Sequence, residues 1–358
     1  MTMKQMIRLG SVAVGQEHPP ALVVELSGNH GGSLETAMHL LKEAKQRGVS
    51  LVKLQTYRPD TITLDADVPF FRIEEPTSLW KGKTLYTLYQ QAHTPWEWHP
   101  PLFEYARSIG LEIFSTPFDE TAVDFLEQFN PPCYKIGSPE IVDLPLIRKA
   151  AATKKPLILS TGASSLAEIG EAVEAARSSG CRDLILLHCV AAYPASPSDM
   201  HLQTIPHLQA AFHVPVGLSD HTLGCTAALV SVAFGACLVE KHFTLSRQDG
   251  GVDSAFSLEP HEVGHLVSEL QVAFSSIGQV RYGPLRAEKL THSHRPSLYF
   301  IRDKAPGSIV MVDDVRSLRP TGEGLPPKEL EHILGLPLSK PVKKGDPVCW
   351  ELFRGVET

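Results

Sequence analysis

Eight short apolar runs recur along the first three-quarters of the chain, each leading into a loop and then a segment of helical period. The runs are 21–27 (ALVVELS), 50–55 (SLVKLQ), 111–117 (LEIFSTP), 133–138 (CYKIGS), 156–161 (PLILST), 184–190 (LILLHCV), 214–220 (VPVGLSD) and 237–243 (CLVEKHF). They are nearly continuous in Val, Ile and Leu rather than alternating, as strands covered on both faces should be. Between the first two, residues 34–48 place Leu34, Ala37, Met38, Leu41 and Ala44 on one face, with Ser33 as N-cap and Gly48 as the C-terminal stop. Residues 164–180 repeat the scheme. Eight β-then-α units over about 260 residues match the size and alternation of a (β/α)8 TIM barrel. A doubly wound open sheet is the alternative, and the regularity of eight units favours closure.

Beyond Gly283 the texture changes. Short strand-like runs at 298–302, 308–312 and 346–352 are split by Pro and Gly turns such as Lys304-Ala305-Pro306-Gly307. We therefore expect a barrel domain over 1–283, a linker over 284–296 and a small β-rich domain over 297–358, too small to be generously stable alone. The insertion at about 56–94, rich in aromatics and Pro, follows the second strand, where barrel loops set specificity.

At 358 residues the chain has room for about two domains. Its net charge is −7, and no basic stretch is dense enough to track a phosphate backbone, so nucleic acid is not expected as a partner. No apolar run approaches the ~18–20 residues of a membrane span, and Met1 to Gly10, with Lys4 and Arg8, lacks a signal-peptide core. The six cysteines are scattered without a C-x-x-C pair, which fits a reduced, cytoplasmic protein.

Polar residues stand where every strand ends: Glu25; Lys53 and Gln55; Ser115 and Thr116; Lys135 and Ser138; Ser160 and Thr161; His188; Ser219, Asp220 and His221; Glu240, Lys241 and His242. In a barrel these positions converge on one pocket. Lys53, Lys135 and Lys241 with Ser138, Ser160 and Ser219 make a donor-rich patch suited to phosphate and carboxylate. Lysines inside buried strands need anions, which could be Glu25 and Glu240 or a ligand. His221 and His242 end neighbouring strands and could share a divalent metal, with Asp220 or Glu240 behind them. Asn29-His30-Gly31-Gly32-Ser33 is a βα turn that could also bind an anion. The chain has no G-x-G-x-x-G after its first strand, no Walker A sequence and no G-x-S-x-G elbow.

These residues carry a resemblance. Glu25-Leu26-Ser27-Gly28-Asn29-His30-Gly31-Gly32, Val52-Lys53-Leu54-Gln55-Thr56-Tyr57, Tyr134-Lys135-Ile136-Gly137-Ser138, Leu159-Ser160-Thr161-Gly162, Gly217-Leu218-Ser219-Asp220-His221 and Glu240-Lys241-His242-Phe243 resemble, in order and spacing, the sialic acid synthase family. Gly324-Leu325-Pro326-Pro327-Lys328 and Ile333-Leu334-Gly335 resemble its antifreeze-like (SAF) domain. Leu79 to Lys83, Thr94 to His99 and Glu112 to Asp119 are most similar to the pseudaminic acid synthases of that family.

The resemblance implies a metal-dependent transferase, served by Mn²⁺, Mg²⁺ or Co²⁺, that condenses phosphoenolpyruvate with an amino-sugar aldose. The sugar would be 2,4-diacetamido-2,4,6-trideoxy-altrose, and the products a nine-carbon 2-keto acid and phosphate. Carried over residue by residue, Glu25, Lys53, Lys135 and Glu240 are catalytic. Lys53, Lys135, Ser138, Ser160 and Ser219 hold phosphoenolpyruvate, Gln55, Tyr193, Asp253 and Arg295 face the sugar, and His221 and His242 hold the metal. The family also implies a domain-swapped homodimer in which an arginine, here Arg295, reaches the partner's site. The sequence departs from the family at Ala191, where Ser or Asn is usual, and at Pro296, where the family has Arg-Arg-Ser. The alternatives are the same chemistry on N-acetylmannosamine or the legionaminic acid precursor, and a non-catalytic sugar-binding protein, which Ala191 alone favours.

Overall fold

A computed structural model describes residues 6–76 and 78–353. Lys4 in the N-terminal stretch and the last five residues of the expected second domain lie outside them. The chain divides into two compact units, Met1–Gly278 and Gln279–Thr358.

The first unit opens with an antiparallel hairpin, β1 (Ile7–Leu9) and β2 (Val12–Val14), turning through Gly10 at φ +61°. A Cβ at Gly10 would also stand 2.4 Å from the Glu112 carboxylate, so the turn needs glycine twice over. Eight parallel strands follow: β3 (Ala21–Glu25), β4 (Leu51–Thr56), β5 (Glu112–Pro117), β6 (Tyr134–Ile136), β7 (Leu157–Ser160), β8 (Leu184–Cys189), β9 (Val216–Ser219) and β10 (Leu238–His242). Each coincides with one of the eight apolar runs. They close into a barrel, because β10 pairs with both β9 and β3.

The wall between the helices is capped as its sequence predicts. Helix α1 (Leu34–Gln46) begins at Ser33, whose hydroxyl accepts from Thr36 N at 3.2 Å, and stops before Gly48 at φ +84°. It buries Ala37, Leu40, Leu41 and Ala44, whereas Leu34 and Met38 are only partly covered. The insertion after β4 carries α2 (Pro59–Ile62) and α3 (Leu85–Ala92). Helices α4 (His99–Ser108), α5 (Glu120–Glu127) and α6 (Leu144–Ala152) come next. Then α7 (Leu166–Ser178), capped by a Ser165–Glu168 box, α8 (Thr204–Phe212), α9 (Thr226–Ala233) and α10 (Pro260–Ile277) complete the ring.

Two apolar cores result. One lies between strands and helices. The other fills the barrel, where Ile7, Leu9 and Val14 of the hairpin pack with Leu51, Phe114, Ile158, Ile185 and Leu238 near the strands' N-terminal ends. The hairpin thus plugs the end of the barrel opposite the polar strand ends, which the sequence reading had missed.

The second unit contains α11 (Lys289–Ser293), β11 (Ser297–Phe300), β12 (Val315–Leu318) and α12 (Leu330–Ile333) around a small core of Leu298, Phe300, Val310, Val315, Ile333 and Leu338. Of the three strand-like runs expected here, 298–302 falls largely on β11. The other two are not strands: Ile309 and Pro347 form only isolated bridges, to Pro337 and Tyr299, and Trp350–Leu352 is a 3-10 turn. Proline and tight glycine turns interrupt these ladders after a single pairing. The partner of β11 is instead the more exposed run Val315–Leu318.

Candidate active site

Strand register assembles the site. Glu25 pairs with Lys53 on one side and His242 on the other, and Ser219 pairs with Glu240. Because successive side chains alternate between faces, Glu240 and His242 point into the barrel while Lys241 points out. A cavity of about 830 Å³ at this end is lined by all twelve of the expected site residues that belong to the first unit: Glu25, Lys53, Gln55, Lys135, Ser138, Ser160, Tyr193, Ser219, His221, Glu240, His242 and Asp253. The remaining one, Arg295, is an exposed residue of the second unit, where its carbonyl accepts from Thr321 Oγ1 at 2.7 Å.

The floor of the cavity is a buried charge network. Lys53 Nζ lies 2.8 Å from Glu25 Oε2 and 3.7 Å from Glu240 Oε2, and Lys135 Nζ lies 3.0 Å from Glu240 Oε1. Gln55 Nε2 donates to Glu25 Oε1 at 2.6 Å, and Ser219 Oγ to Glu240 Oε1 at 2.9 Å. The two lysines therefore meet their anions within the protein. Burial opposes ionisation of both carboxyls, but the surrounding cations outweigh it: Lys53 and His242 hold Glu25 far below the usual carboxylate range, and Lys135 and Lys53 lower Glu240. Burial likewise works against the Lys53 ammonium, and Glu240 and Glu25 raise it nonetheless. The four charges cancel, so a polyanionic substrate would enter with no net positive charge to meet it.

The histidines sit beside this network. His221 Nδ1 is 2.9 Å from Val190 O, which fixes that nitrogen as the N–H and leaves Nε2 as a lone-pair donor toward the cavity. The two imidazole centroids are 5.4 Å apart. His242 Nε2 is 3.4 Å from Glu25 Oε2, and its buried Nδ1, 3.7 Å from Asp253 Oδ2, has no hydrogen-bond partner among the described residues. Burial pushes His242 below the ordinary imidazole range, which keeps it neutral, as a metal ligand must be. Burial opposes charge on His221 too, but the Cys189 thiol beside it raises its affinity for a proton. Two neutral-capable imidazoles, an adjoining carboxylate and an orphaned ring nitrogen fit a divalent cation. A second acidic group, Glu259, His261 and Glu262 at the start of α10, has both carboxylates engaged by Arg247, at 3.8 Å from Glu259 and 2.5 Å from Glu262.

Several sequence expectations need correction. Lys241 is not part of the donor patch: its ammonium is buried outside the barrel strands, 3.1 Å from Asp220 Oδ2 and 2.6 Å from Thr222 O. Asp220 is thereby consumed, and Glu240 belongs to the lysines, so the carboxylates that adjoin the histidines are Glu25 and Asp253. His188 binds Met200 O, and Ser115 binds Thr56 Oγ1, both away from the cavity. Asp253, read as facing the sugar, lines the cavity but also takes a short hydrogen bond from Ser27 Oγ. Within the Asn29–Ser33 turn, Asn29 is taken up by Phe243 O and Ser257 Oγ and His30 Nδ1 accepts from Gly32 N.

The cavity lining also contains a titratable residue that no sequence pattern marks. Glu140, in the 3-10 turn Pro139–Val142 after β6, lines the cavity, and its buried Oε2 has no partner among the described residues. Burial pushes its carboxyl up to about 7 despite the pull of Lys135. Ser160 Oγ is likewise buried without a hydrogen-bond partner among the described residues. Ala191 does line the cavity, where its methyl group offers no polar atom to the wall.

Comparison with known proteins agrees with this architecture. The NeuB family matches residues 40–282 and the SAF domain matches 295–354. A pseudaminic acid synthase of Helicobacter pylori is 41% identical over 332 residues, covering 92% of this chain and 96% of that protein. An N,N'-diacetyllegionaminic acid synthase of Legionella pneumophila is 34% identical, covering 92% and 93%. Among solved structures, the N-acetylneuraminic acid synthetase of Leptospira borgpetersenii, in complex with citrate, superposes with a TM-score of 0.70 at 30% identity, covering 80% of this chain and 95% of that one.

Proposed function

Since the chain belongs to the NeuB family, we propose that it is a pseudaminic acid synthase. It condenses phosphoenolpyruvate with 2,4-diacetamido-2,4,6-trideoxy-altrose and water, giving a nine-carbon 2-keto acid and phosphate. The observation that carries this reading is the meeting of Lys53, Lys135, Ser219 and Glu240 with the His221–His242 pair in one cavity. The same chemistry on the legionaminic acid precursor is a second reading, favoured by the 34% identity to the Legionella enzyme.

Lys53, Lys135, Ser138, Ser160 and Ser219 would hold the phosphate and carboxylate of phosphoenolpyruvate, with Gln55, Tyr193 and Asp253 toward the sugar. His221 and His242 would hold a divalent metal, Mn²⁺ with Mg²⁺ or Co²⁺ as alternatives, which supplies Lewis acidity at the aldehyde and the positive charge that the neutral floor lacks. The enol C3 attacks the aldehyde carbon, the new C–C bond forms, and the aldehyde oxygen ends as a hydroxyl. Glu240, between both lysines, offers its negative charge to the cationic character that develops at C2. Water then adds at C2 while Glu25, 2.6 Å from Gln55 and 2.8 Å from Lys53, accepts its proton. The tetrahedral intermediate collapses by cleavage of the C2–O bond to phosphate, which leaves with the proton of the C2 hydroxyl as that oxygen becomes the keto carbonyl. The proton taken by Glu25 balances the one gained by the former aldehyde oxygen.

We further read the chain as a catalytic unit over 1–283, a linker over 284–296 and an SAF domain over 297–358, acting as a domain-swapped homodimer in which Arg295 serves the partner's site. No helix among the described residues is long and apolar enough to cross a membrane, and the six cysteines are free, which supports a cytoplasmic setting. Incubation with labelled phosphoenolpyruvate and the diacetamido-altrose, followed by mass spectrometry and NMR, tests the function directly. A nine-carbon keto acid is expected, and unchanged sugar would refute the reading.

A further inference from the structure

We propose that Ile73, Leu79, Trp80 and Leu85 form a subsite for the substrate's terminal carbon that accepts a methyl group and selects against a terminus bearing a hydroxyl or a phosphate. The proposal rests on the synthase reading above and assigns its sugar selectivity to the insertion.

The cavity has two chemically different sides. Its floor is the charged network of Glu25, Lys53, Lys135 and Glu240, whereas the 73–92 segment gives it mainly apolar side chains, Ile73, Leu79, Trp80, Leu85, Leu88 and Ala92, with Glu75, Ser78 and Tyr89 among them. Leu88 and Ala92 are buried behind the wall, but Leu79 is 50% exposed. An apolar side chain left open on a cavity offers surface that a ligand can cover. The only lysines lining the cavity among the described residues are Lys53 and Lys135, both committed to Glu25 and Glu240. Among its described residues the insertion adds no cation to the lining.

The wall is also fixed relative to the metal-binding histidines. Ile73 N donates to Lys83 O at 2.9 Å and Gly82 N to Ile73 O at 2.8 Å, closing the loop on itself. Trp80 Nε1 donates to Val252 O at 3.1 Å. Its indole centroid is 5.8 Å from the Tyr193 ring, which is in turn 4.4 Å from the His221 ring. An open-chain six-carbon aldose with its aldehyde at His221 and His242 extends away from the charged floor, and its last carbon is the part that meets this wall. A methyl group there covers Leu79 and Trp80. Against these side chains a hydroxymethyl group would lose water without gaining a partner, and a phosphate would meet an apolar surface rather than a cation.

An apolar pocket discriminates against an added hydroxyl by about 10- to 100-fold. The test compares kcat/KM of the full-length enzyme for the 6-deoxy diacetamido-altrose, its 6-hydroxy counterpart and the 6-phosphate of the latter. Wild type should prefer the 6-deoxy sugar by about 10- to 100-fold over the 6-hydroxy sugar and show no detectable use of the phosphate. Leu79→Asn and Trp80→Gln should bring the first ratio to within about threefold of unity while leaving the phosphoenolpyruvate KM unchanged. If Trp80→Gln fails to fold, the half-exposed Leu79 carries the test. Turnover without discrimination, or variants that lose rate but keep the ratio, would overturn the subsite alone. No turnover of any of the three sugars would overturn the synthase reading and the subsite with it.

Discussion

Lys53 Nζ stands 2.8 Å from Glu25 Oε2, with both side chains 4% exposed, and the same nitrogen lies 3.7 Å from Glu240. A buried cation shared by two carboxylates ties the stability of the barrel mouth to its chemistry. Removing it should leave a buried negative charge unpaired, at a cost of about 3–5 kcal/mol. Lys53→Met should therefore unfold at lower denaturant and raise the phosphoenolpyruvate KM at least tenfold. An unchanged KM in steady-state kinetics would remove Lys53 from substrate binding.

The same pair sets a pH dependence. Burial opposes the Glu25 charge, but Lys53 and His242 hold its carboxyl below the usual range. Its ionised form thus adds stability that is complete above about pH 4.5 and lost as pH falls toward the folded-state value. Glu25→Gln should flatten the acid limb of a pH–stability curve, which urea titrations between pH 3 and 7 would resolve.

Glu140 should behave in the opposite sense. Its carboxyl is pushed up to about 7 by burial, so the folded state prefers the protonated form and the protein loses stability as pH rises from about 4.5 to 7. Glu140→Gln should melt higher than wild type at pH 8, by the equivalent of about 1–3 kcal/mol, and close to it at pH 5. If the carboxylate also takes part in turnover, the substitution should remove an ionisation near pH 7 from kcat/KM. Equal melting shifts at both pH values would contradict the assignment.

Metal dependence can be read without catalysis. A ligand bound only by the folded state stabilises it by about 2.7 kcal/mol at a hundredfold excess over its Kd. Mn²⁺ should raise the melting temperature of wild type, and His221→Ala and His242→Ala should each abolish that rise and reduce turnover by at least about a thousandfold, the size of effect expected when a group central to the transition state is removed. A full metal-induced shift in either variant would place the ion elsewhere.

The hairpin plug predicts a separation of stability from activity. Leu9 is fully buried in the barrel core at the end away from the site, so Leu9→Ala should cost about 2–5 kcal/mol with kcat/KM at low temperature unchanged. A large loss of kcat in the still-folded variant would show that the plug shapes the mouth as well.

The eight strands and much of the polar lining of the cavity were legible because both depend on local pattern. Continuous apolar runs mark strands buried on both faces, and polar residues at their ends are conspicuous. That continuity also hides which face a residue takes, and so Lys241 and Asp220 were read into the pocket. Strand parity holds the missing signal, since Glu240 and His242 on one face put Lys241 on the other. The hairpin escaped because two three-residue strands gain their order from a barrel that the sequence forms later. Glu140 lies in a turn, where no period points a side chain, and only the folded chain brings it to the cavity.

The central claim is that this cavity joins phosphoenolpyruvate to a diacetamido sugar with the help of a metal at His221 and His242. The most direct measurement is phosphate release from phosphoenolpyruvate with Mn²⁺, offering the 6-deoxy diacetamido-altrose or N-acetylmannosamine, each with and without EDTA. The account predicts release with the diacetamido-altrose that EDTA abolishes, and little with N-acetylmannosamine. Release with N-acetylmannosamine alone, or release indifferent to EDTA, would contradict it.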